Sequence, residues 1–568
     1  MHIHIIPNRA SSPAVLLRES YRQGDRVRKR TLANLSSLPM DQVEAIRRIL
    51  KGERLALSEA LFDVTASSHH GHVQAVRLAM KRLGLDTLIS SRPCRERDLV
   101  VAMVSARVLE PHSKLATTRW WHTTTLPEDL KVADADEDAL YQAMDWLVER
   151  QSKIERKLAA RHLDEDSLVL YDLSSSYFEG TCCPLAALGH NRDGKRGKLQ
   201  VNYGLVTTRG GCPVSVSVYS GNTGDPNTVM PQIRKVKDEF GIKNFVLVGD
   251  RGMIGQKLID QLRTQEPIDW ITALKTGQIR ALMEQGAIQM SFFDQRNLVE
   301  MTHQDYPGER LVVCRNPLMA ERRTRTRQSL LEATERELEK VQRMVARGTL
   351  KDEGKIGVRV GRVVNKYKVA KLMKLEIGDK TFTFQRNEDA IAAEAALDGL
   401  YVIRTSLSPK RLDAADTVRS DKLLSNVERA FRCMKTIDLK VRPIHHRLED
   451  RVRVHIFLCM LAYYVEWHML EAWRELLFSD EDQEAKKTRD PVAPATRSDK
   501  AMQKVHTHKL DDGTEVQSFR TLLKDLSTIV RNVCRRKQAP KNEASFTITT
   551  TPNEKQQRAL DLIERIAV

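Results

Sequence analysis

Leu168-Val169-Leu170-Tyr171-Asp172 and Phe245-Val246-Leu247-Val248-Gly249-Asp250 share one pattern. Each is a short apolar run that ends on an aspartate, directly or after one glycine. A run of this length is what a strand buried on both faces needs. Between the two, residues 199 to 207 and 214 to 219 read as further strands, with Gly210-Gly211 as the turn joining them. Residues 227 to 240 read as a helix started by Asp225-Pro226, and residues 254 to 262 as another. Three consecutive strands, a helix and then a strand predict a mixed α/β sheet.

Sites in such sheets are built at strand ends. A carboxylate there is costly unless a cation pairs with it. Two of them, Asp172 and Asp250, invite a shared divalent ion, and Mg²⁺ takes one or two protein carboxylates plus water. For a single strand-end aspartate a turn cap or a partnership with a base, Asp250 with Arg251 for instance, is the commoner role, and two in one inferred sheet shift the balance toward a site. A third acid, Glu428, lies in Ser425-Asn426-Val427-Glu428-Arg429-Ala430-Phe431-Arg432-Cys433-Met434-Lys435. Glu428, Arg432 and Lys435 fall at i, i+4 and i+7, so they share one helix face. Val427, Phe431 and Met434 form an adjacent apolar face suited to pin the helix to the sheet. On spacing alone, an ordinary ion pair between Glu428 and Arg432 is the plainer reading.

The chain has 568 residues, enough for about three or four domains. Hydrophobic residues make up 41%, which excludes wholesale disorder. Lys+Arg number 92 against 75 Asp+Glu, a net charge of +17 that favours nucleic acid over a membrane surface as partner. No apolar run approaches the length of a membrane span, and residues 456 to 465 read as a buried helix. The N-terminus lacks a signal-peptide pattern. None of the eight cysteines forms a Cys-x-x-Cys pair, which points to a reducing cytosol. His69-His70-Gly71-His72 has no partner cluster and reads as a solvated loop.

Residues 14 to 35 read as a hairpin around Gln23-Gly24-Asp25, with Arg26, Arg28 and Arg30 on one face of its second strand. Residues 40 to 160 look mostly helical. Leu331, Thr334, Leu338, Val341 and Val345 keep a/d spacing for two heptads, the mark of a packed helical arm. A basic run, residues 321 to 327, precedes it. Residues 375 to 377 and 381 to 384 read as a hairpin, 400 to 403 as a strand, 414 to 437 and 451 to 478 as helices, 481 to 500 as a linker and 518 to 534 as a last helix. The tail beyond is polar.

The chain resembles the bacterial insertion-sequence transposases of the DDE type, in the long-chain branch of the IS-four superfamily. The stretches that carry the likeness are Tyr171-Asp172-Leu173-Ser174-Ser175-Ser176-Tyr177-Phe178-Glu179-Gly180, Gly189-His190-Asn191-Arg192-Asp193-Gly194, Gly221-Asn222-Thr223-Gly224-Asp225, Val248-Gly249-Asp250-Arg251-Gly252-Met253, the Glu428 segment, and Val441-Arg442-Pro443-Ile444-His445-His446. The resemblance implies an α/β, RNase H-like catalytic core. Its catalytic acids and metal ligands would be Asp172, Asp250 and Glu428, holding Mg²⁺, with Mn²⁺ able to substitute. It implies two-metal cleavage of DNA at the element's ends, joining of the 3′ ends to target DNA, a homodimer on DNA, no membrane, and a bacterial cytoplasm. Arg432, Lys435 and Arg251 are expected to contact DNA. Where the superfamily carries a Tyr and an Arg upstream of its glutamate, this chain has Asp421 and Leu424. Asp193 and Asp225 read as turn residues, and Glu179 as a further acid after the first strand. The competing functions are a nuclease without strand transfer and a DNA-binding protein without chemistry.

The expected organisation is a hairpin region over 1–50 and a helical, DNA-binding region over 51–160. The core would follow over 161–275 and 399–478, divided by an insertion domain over 276–398. A linker and helical region would occupy 479–568.

Overall fold

The computed structural model describes the chain except residues 9–11, 54–61, 265–267, 290–292, 294–296, 483, 485–487, 494–495, 538–543 and 568. Parts of the stretches read above as mostly helical, as linker and as polar tail therefore lie outside the described residues. Two compact units result: Met1–Ser68 with Val530–Thr550, and His69–Ile529 with Thr551–Val568.

In the smaller unit, β1 (His2–Ile6), β2 (Ala14–Gln23) and β3 (Arg26–Asn34) form an antiparallel sheet. Gln23 pairs with Arg26, which leaves Gly24-Asp25 as the turn, with Gly24 at φ +63°. Only a residue tolerant of left-handed φ closes a two-residue hairpin this tightly. Arg26, Arg28 and Arg30 are exposed, and Arg30 reaches across the hairpin to Glu19 at 2.7 Å. A second sheet joins β4 (Phe62–His69) to β15 (Val530–Arg536) and β16 (Phe546–Thr549). This corrects two readings. Residues 62 to 69 are a strand inside a stretch expected to be mostly helical. The helix expected over 518 to 534 ends at Leu526, and the chain continues into β15. Val530, Val533 and Cys534 suit a helical period as well as a strand. The strand partner decides, and Thr65, whose hydroxyl donates to Val533 O, lies 468 residues away.

The larger unit is built on an eight-stranded sheet. Its strands are β5 (Leu168–Tyr177), β6 (Gln200–Thr207), β7 (Pro213–Ser220), β8 (Val246–Val248), β9 (Asp269–Ala273), β10 (Leu298–Met301), β11 (Arg310–Arg315) and β14 (Leu400–Thr405). The order is β10-β11-β14-β9-β8-β5-β6-β7. β5, β6 and β7 are antiparallel, and β8 and β9 continue parallel to β5. First three strands antiparallel, next two parallel, order 3-2-1-4-5: this is the RNase H-like arrangement. β9, β10 and β11 escaped the sequence reading, and the last two extend the sheet beyond β14 before the chain leaves for the helical arm.

The helix Glu449–Ala472 is apolar on all sides from Val454 to Met469, and nearly all of that length is buried. A helix without a polar face belongs in a core. It packs on β7 and on the helices Arg95–Leu109 and Glu137–Val148. Among the described residues no helix is long and apolar enough to cross a membrane. Within this helix Glu466 is fully buried beside Asp438 and Cys433, whose polar atoms lie within 4.8 Å of its carboxyl, and no hydrogen bond to either carboxyl oxygen is made among the described residues. Burial, and then the charge of Asp438, hold its carboxyl well above the usual range. A raised folded pKa contributes stability that is complete below the unfolded value, near 4.5, and is lost as pH rises through the folded value. Glu466→Gln removes that dependence. Its stability relative to the parent should grow by about 1.4 kcal/mol per pH unit from pH 5 upward, measured by denaturant midpoints. A parallel pair of curves rules out a protonated Glu466.

The arm is a separate small core. In the helix Pro317–Ala346, Leu331, Leu338, Val341 and Val345 face Ile356, Val360 and Val364 of the helix Glu353–Tyr367, as the a/d spacing predicts. The hairpin of β12 (Met373–Gly378) and β13 (Thr381–Arg386) completes it. Arg322, Arg323 and Arg325 are exposed, whereas Arg327 is buried against Asp398 at 2.5 Å.

The histidine cluster is not a solvated loop. His69 Nδ1 lies 2.8 Å from Ser527 O, His70 Nδ1 2.9 Å from Thr125 Oγ1, and His72 is buried. Gly71 is required between them, because a Cβ there would stand 2.4 Å from Leu526 O. The tail is also structured. Its helix Glu554–Glu564 is capped by Asn553 and buries Ala559, Leu560 and Ile563, and Trp473 Nε1 donates to Ala559 O at 2.8 Å.

Candidate active site

The first two acids meet because their strands are neighbours in one register. β5 and β8 pair in parallel with Leu168 beside Val246 and Leu170 beside Val248. Carrying that offset past the end of β8 sets Asp172 level with Asp250, one strand spacing apart, about 4.8 Å. A Cβ at Gly249 would lie 2.9 Å from Ile254 Cδ1, which would have to shift, and at an ordinary 3.7 Å from Tyr171 O on β5. Asp250 also caps its own turn, since its Oδ2 accepts from Gly252 N–H at 3.1 Å.

The third acid arrives on the helix Leu424–Arg432, which packs on β5. Val427, Phe431 and Met434 are buried, with the Phe431 ring 5.7 Å from that of Tyr203 on β6. The predicted apolar face therefore does seat the helix and leaves Glu428 exposed. The chain is not one helix from 414 to 437. It is two, Ala414–Lys422 and Leu424–Arg432, followed by a wider turn over Cys433–Ile437.

Asp172, half-buried on β5, is pushed up to about 7. Burial is the main cause, and the charges of Asp250 and Glu428 add to it. The Leu173 N–H and Arg192 pull the other way. The charges of Asp250 and Glu428 are thus both felt at Asp172. No hydrogen bond or ion pair joins Glu428 to Arg432 among the described residues, and both are exposed. Of the other acids near the end of the chain's core, Glu394 pairs with Lys371, Asp398 with Arg327 and Glu449 with Arg453. Asp421 stays close: burial and then Asp250 push its carboxyl up to about 6, against the pull of Lys422 and Arg251.

Three carboxylates without imidazole or thiol among them are donors of the type that suits a hard divalent ion such as Mg²⁺. The acids are set more widely than a closed metal cage. Among the described residues, the trios of His, Cys, Asp or Glu with ligand atoms all within 4.8 Å of one another are His162/Cys212/His468 and Cys433/Asp438/Glu466.

The basic residues divide. Arg251 and Arg432 are exposed. Lys435 is not open to a phosphate: its Nζ lies 3.0 Å from Asp193 Oδ1, and Arg442 grips the same oxygen. Asp193 Oδ2 accepts from Tyr177 N–H at 3.0 Å. Asp193 is therefore structural, but by tying the Glu428 segment to the end of β5 rather than by closing its own turn. Asp225 pairs with Arg192 at 2.6 Å, and Glu179 with Lys198 at 3.8 Å. Arg192, a cation acting on Asp172, was missed as a site residue. It stands in a quoted motif, but nothing in its spacing shows where it points.

Residues 182–465, half of the chain, match the transposase DDE domain, and the chain belongs to that family. The match begins after Asp172 and includes Asp250 and Glu428. Residues 3–61 match the N-terminal domain of IS1634 family transposases. No curated protein matches the chain. Among solved structures, a piggyBac transposase synaptic complex with hairpin DNA is 9% identical over 78% of this chain and 85% of that one, with a TM-score of 0.36. A Mos1 transposase paired-end complex with the left transposon end is 12% identical over 34% and 62%, with a TM-score of 0.14. Both scores are too low to align individual residues.

Proposed function

We propose that the chain is the transposase of an insertion sequence, in the long-chain branch of the IS-four superfamily. It would cut DNA at the element's ends and join the freed 3′ ends to target DNA. The observation that supports this reading is the parallel pairing of β5 with β8, whose offset carries Asp172 and Asp250 to one level, with the charges of Asp250 and Glu428 both felt at Asp172. Asp172, Asp250 and Glu428 would hold Mg²⁺ or Mn²⁺. When bound, such ions polarise the scissile phosphodiester and stabilise the charge on the leaving oxygen. Burial makes a bare charge on Asp172 costly, and a bound cation would offset that cost. Arg192, anchored by Asp225, keeps positive charge beside it. Arg251 and Arg432 project to solvent, where a DNA backbone passing the acids would meet them. No Ser or Tyr nucleophile is needed. Two ends must be cut together, so the working form is a homodimer on DNA in the bacterial cytoplasm.

The test uses labelled element ends and a supercoiled target. Mg²⁺ or Mn²⁺ should support cleavage and joining, and Ca²⁺ binding with little cleavage. Cleavage without joining leaves only the nuclease reading, and robust cleavage in EDTA removes this site.

The net charge of +17 bears on binding. Neutralising about six phosphates gives a log–log slope of affinity against salt near −5. A slope near zero would make the basic residues ordinary surface.

A further inference from the structure

We infer that His162, Cys212 and His468 form a structural site for a thiophilic divalent ion, Zn²⁺ in chemical class, apart from the three acids. The three side chains come from three elements: the end of the helix Gln151–His162, the turn between β6 and β7, and the helix Glu449–Ala472. Each offers a ligand atom, and these atoms all lie within 4.8 Å of one another. Cys212 Sγ and His468 Nε2 are 3.9 Å apart. Bonds of about 2.0–2.3 Å in tetrahedral geometry place ligand atoms about 3.5 Å apart, so small side-chain shifts close the set.

Two imidazoles and a thiolate are the donor types that select zinc over Mg²⁺. Cys212 is 1% exposed and His468 8% exposed, so the pair is shielded from competing water. His162 Nε2 lies 3.0 Å from Tyr464 Oη, a second group that orients the ring as metal-bound imidazoles require. Arg161 donates to Leu83 O at 2.7 Å, and its charge is felt at both imidazoles, a charge that a thiolate at Cys212 offsets. The fourth position falls to water, because Glu471, one turn beyond His468, is held in an ion pair with Arg474.

The consequence lies in what the turn touches. Trp467 Nε1 donates to Gly210 O at 3.3 Å, and Asn426 Nδ2 donates to Arg209 O at 3.0 Å. Gly211, at φ +85°, abuts Asn426 so closely that a Cβ would stand 2.9 Å from the Asn426 Cβ. An ion at Cys212 would therefore clamp the turn on which the Glu428 helix rests, two residues before Glu428. These three side chains are positioning residues and touch no DNA.

The experiment takes tag-free full-length protein prepared without chelator, measures bound metal, and then replaces it with Co²⁺. The expected result is one tightly held equivalent of zinc and a thiolate-to-cobalt charge-transfer band. Cys212→Ser should abolish the band and weaken zinc binding at least about a hundredfold, beyond what losing an outer-shell partner costs. Asp172→Asn should keep both. Hydrogen exchange over 208–212 and 424–432 should quicken when the ion is removed, and His468→Gln should reproduce that change. No retained zinc, a cobalt spectrum without the thiolate band, or a band that survives Cys212→Ser would overturn the site and leave an imidazole–aromatic core cluster in its place. None of these readouts depends on transposition.

Discussion

Replacing Glu428 by Gln should lower cleavage at element ends by at least about a thousandfold, more than one lost electrostatic donor costs, while end binding survives. The substitution keeps the shape of the side chain and removes its charge. Glu428 is exposed and its helix is seated by Val427, Phe431 and Met434, so the fold has no reason to change. The rival is Asp421. Seven residues, or about 10 Å along a continuous helix, separate the two. The break at Leu423 and the position of Asp250 nonetheless leave Asp421 close enough to Asp250 to feel its charge. Glu394, Asp398 and Glu449 are held in ion pairs with Lys371, Arg327 and Arg453. The comparison of Glu428→Gln with Asp421→Asn in single-turnover cleavage is therefore the decisive one. Normal cutting by the first and none by the second would assign the third ligand to Asp421.

Asp193→Ala should destabilise the protein by about 3–5 kcal/mol, the cost of leaving buried charge without its partner. Asp193 is 2% exposed at its side chain, with Lys435 at 11% and Arg442 at 22%. Removing the carboxylate strands two cations at once and also frees Tyr177 N–H. Lys435→Met should cost less, because Asp193 keeps Arg442. Chemical denaturation of both variants checks the order. If Lys435→Met instead leaves stability unchanged and flattens the salt slope of DNA binding by about one unit, the lysine reaches phosphate after all and the ion pair is dispensable. Asp193→Ala should also reduce cleavage, since the tie between β5 and the Glu428 segment is lost.

The local chemistry of this chain is written in its residues. Leu168 to Tyr171 and Val246 to Val248 are strands because runs of that length and branching have no better use than a buried sheet. The Gln23 to Arg26 hairpin, the arm seam from Leu331 to Val345 and the seating of Glu428 through Val427 and Phe431 all follow from period and turn chemistry within a few residues. The family resemblance, carried by motifs from Tyr171 to His446, named the three acids, and the strand-end pattern independently pointed to two of them. Pairing over distance was not legible. β4 and β15 have no strand signal of their own, since each becomes a strand only against the other, across more than four hundred residues. Val530 to Cys534 therefore read as helix. The partner of a charged side chain was equally hidden. Lys435 sits at the right helical offset for a phosphate contact, yet the Asp193 that captures it is 242 residues earlier. Arg192 gained its place beside Asp172, and Asp421 its place beside Asp250, the same way. Local periodicity is set by backbone geometry and survives in one dimension. Register between distant strands, and the choice of ion-pair partner, are set by burial and by the cost of an unpaired charge, which exist only once the sheet has closed.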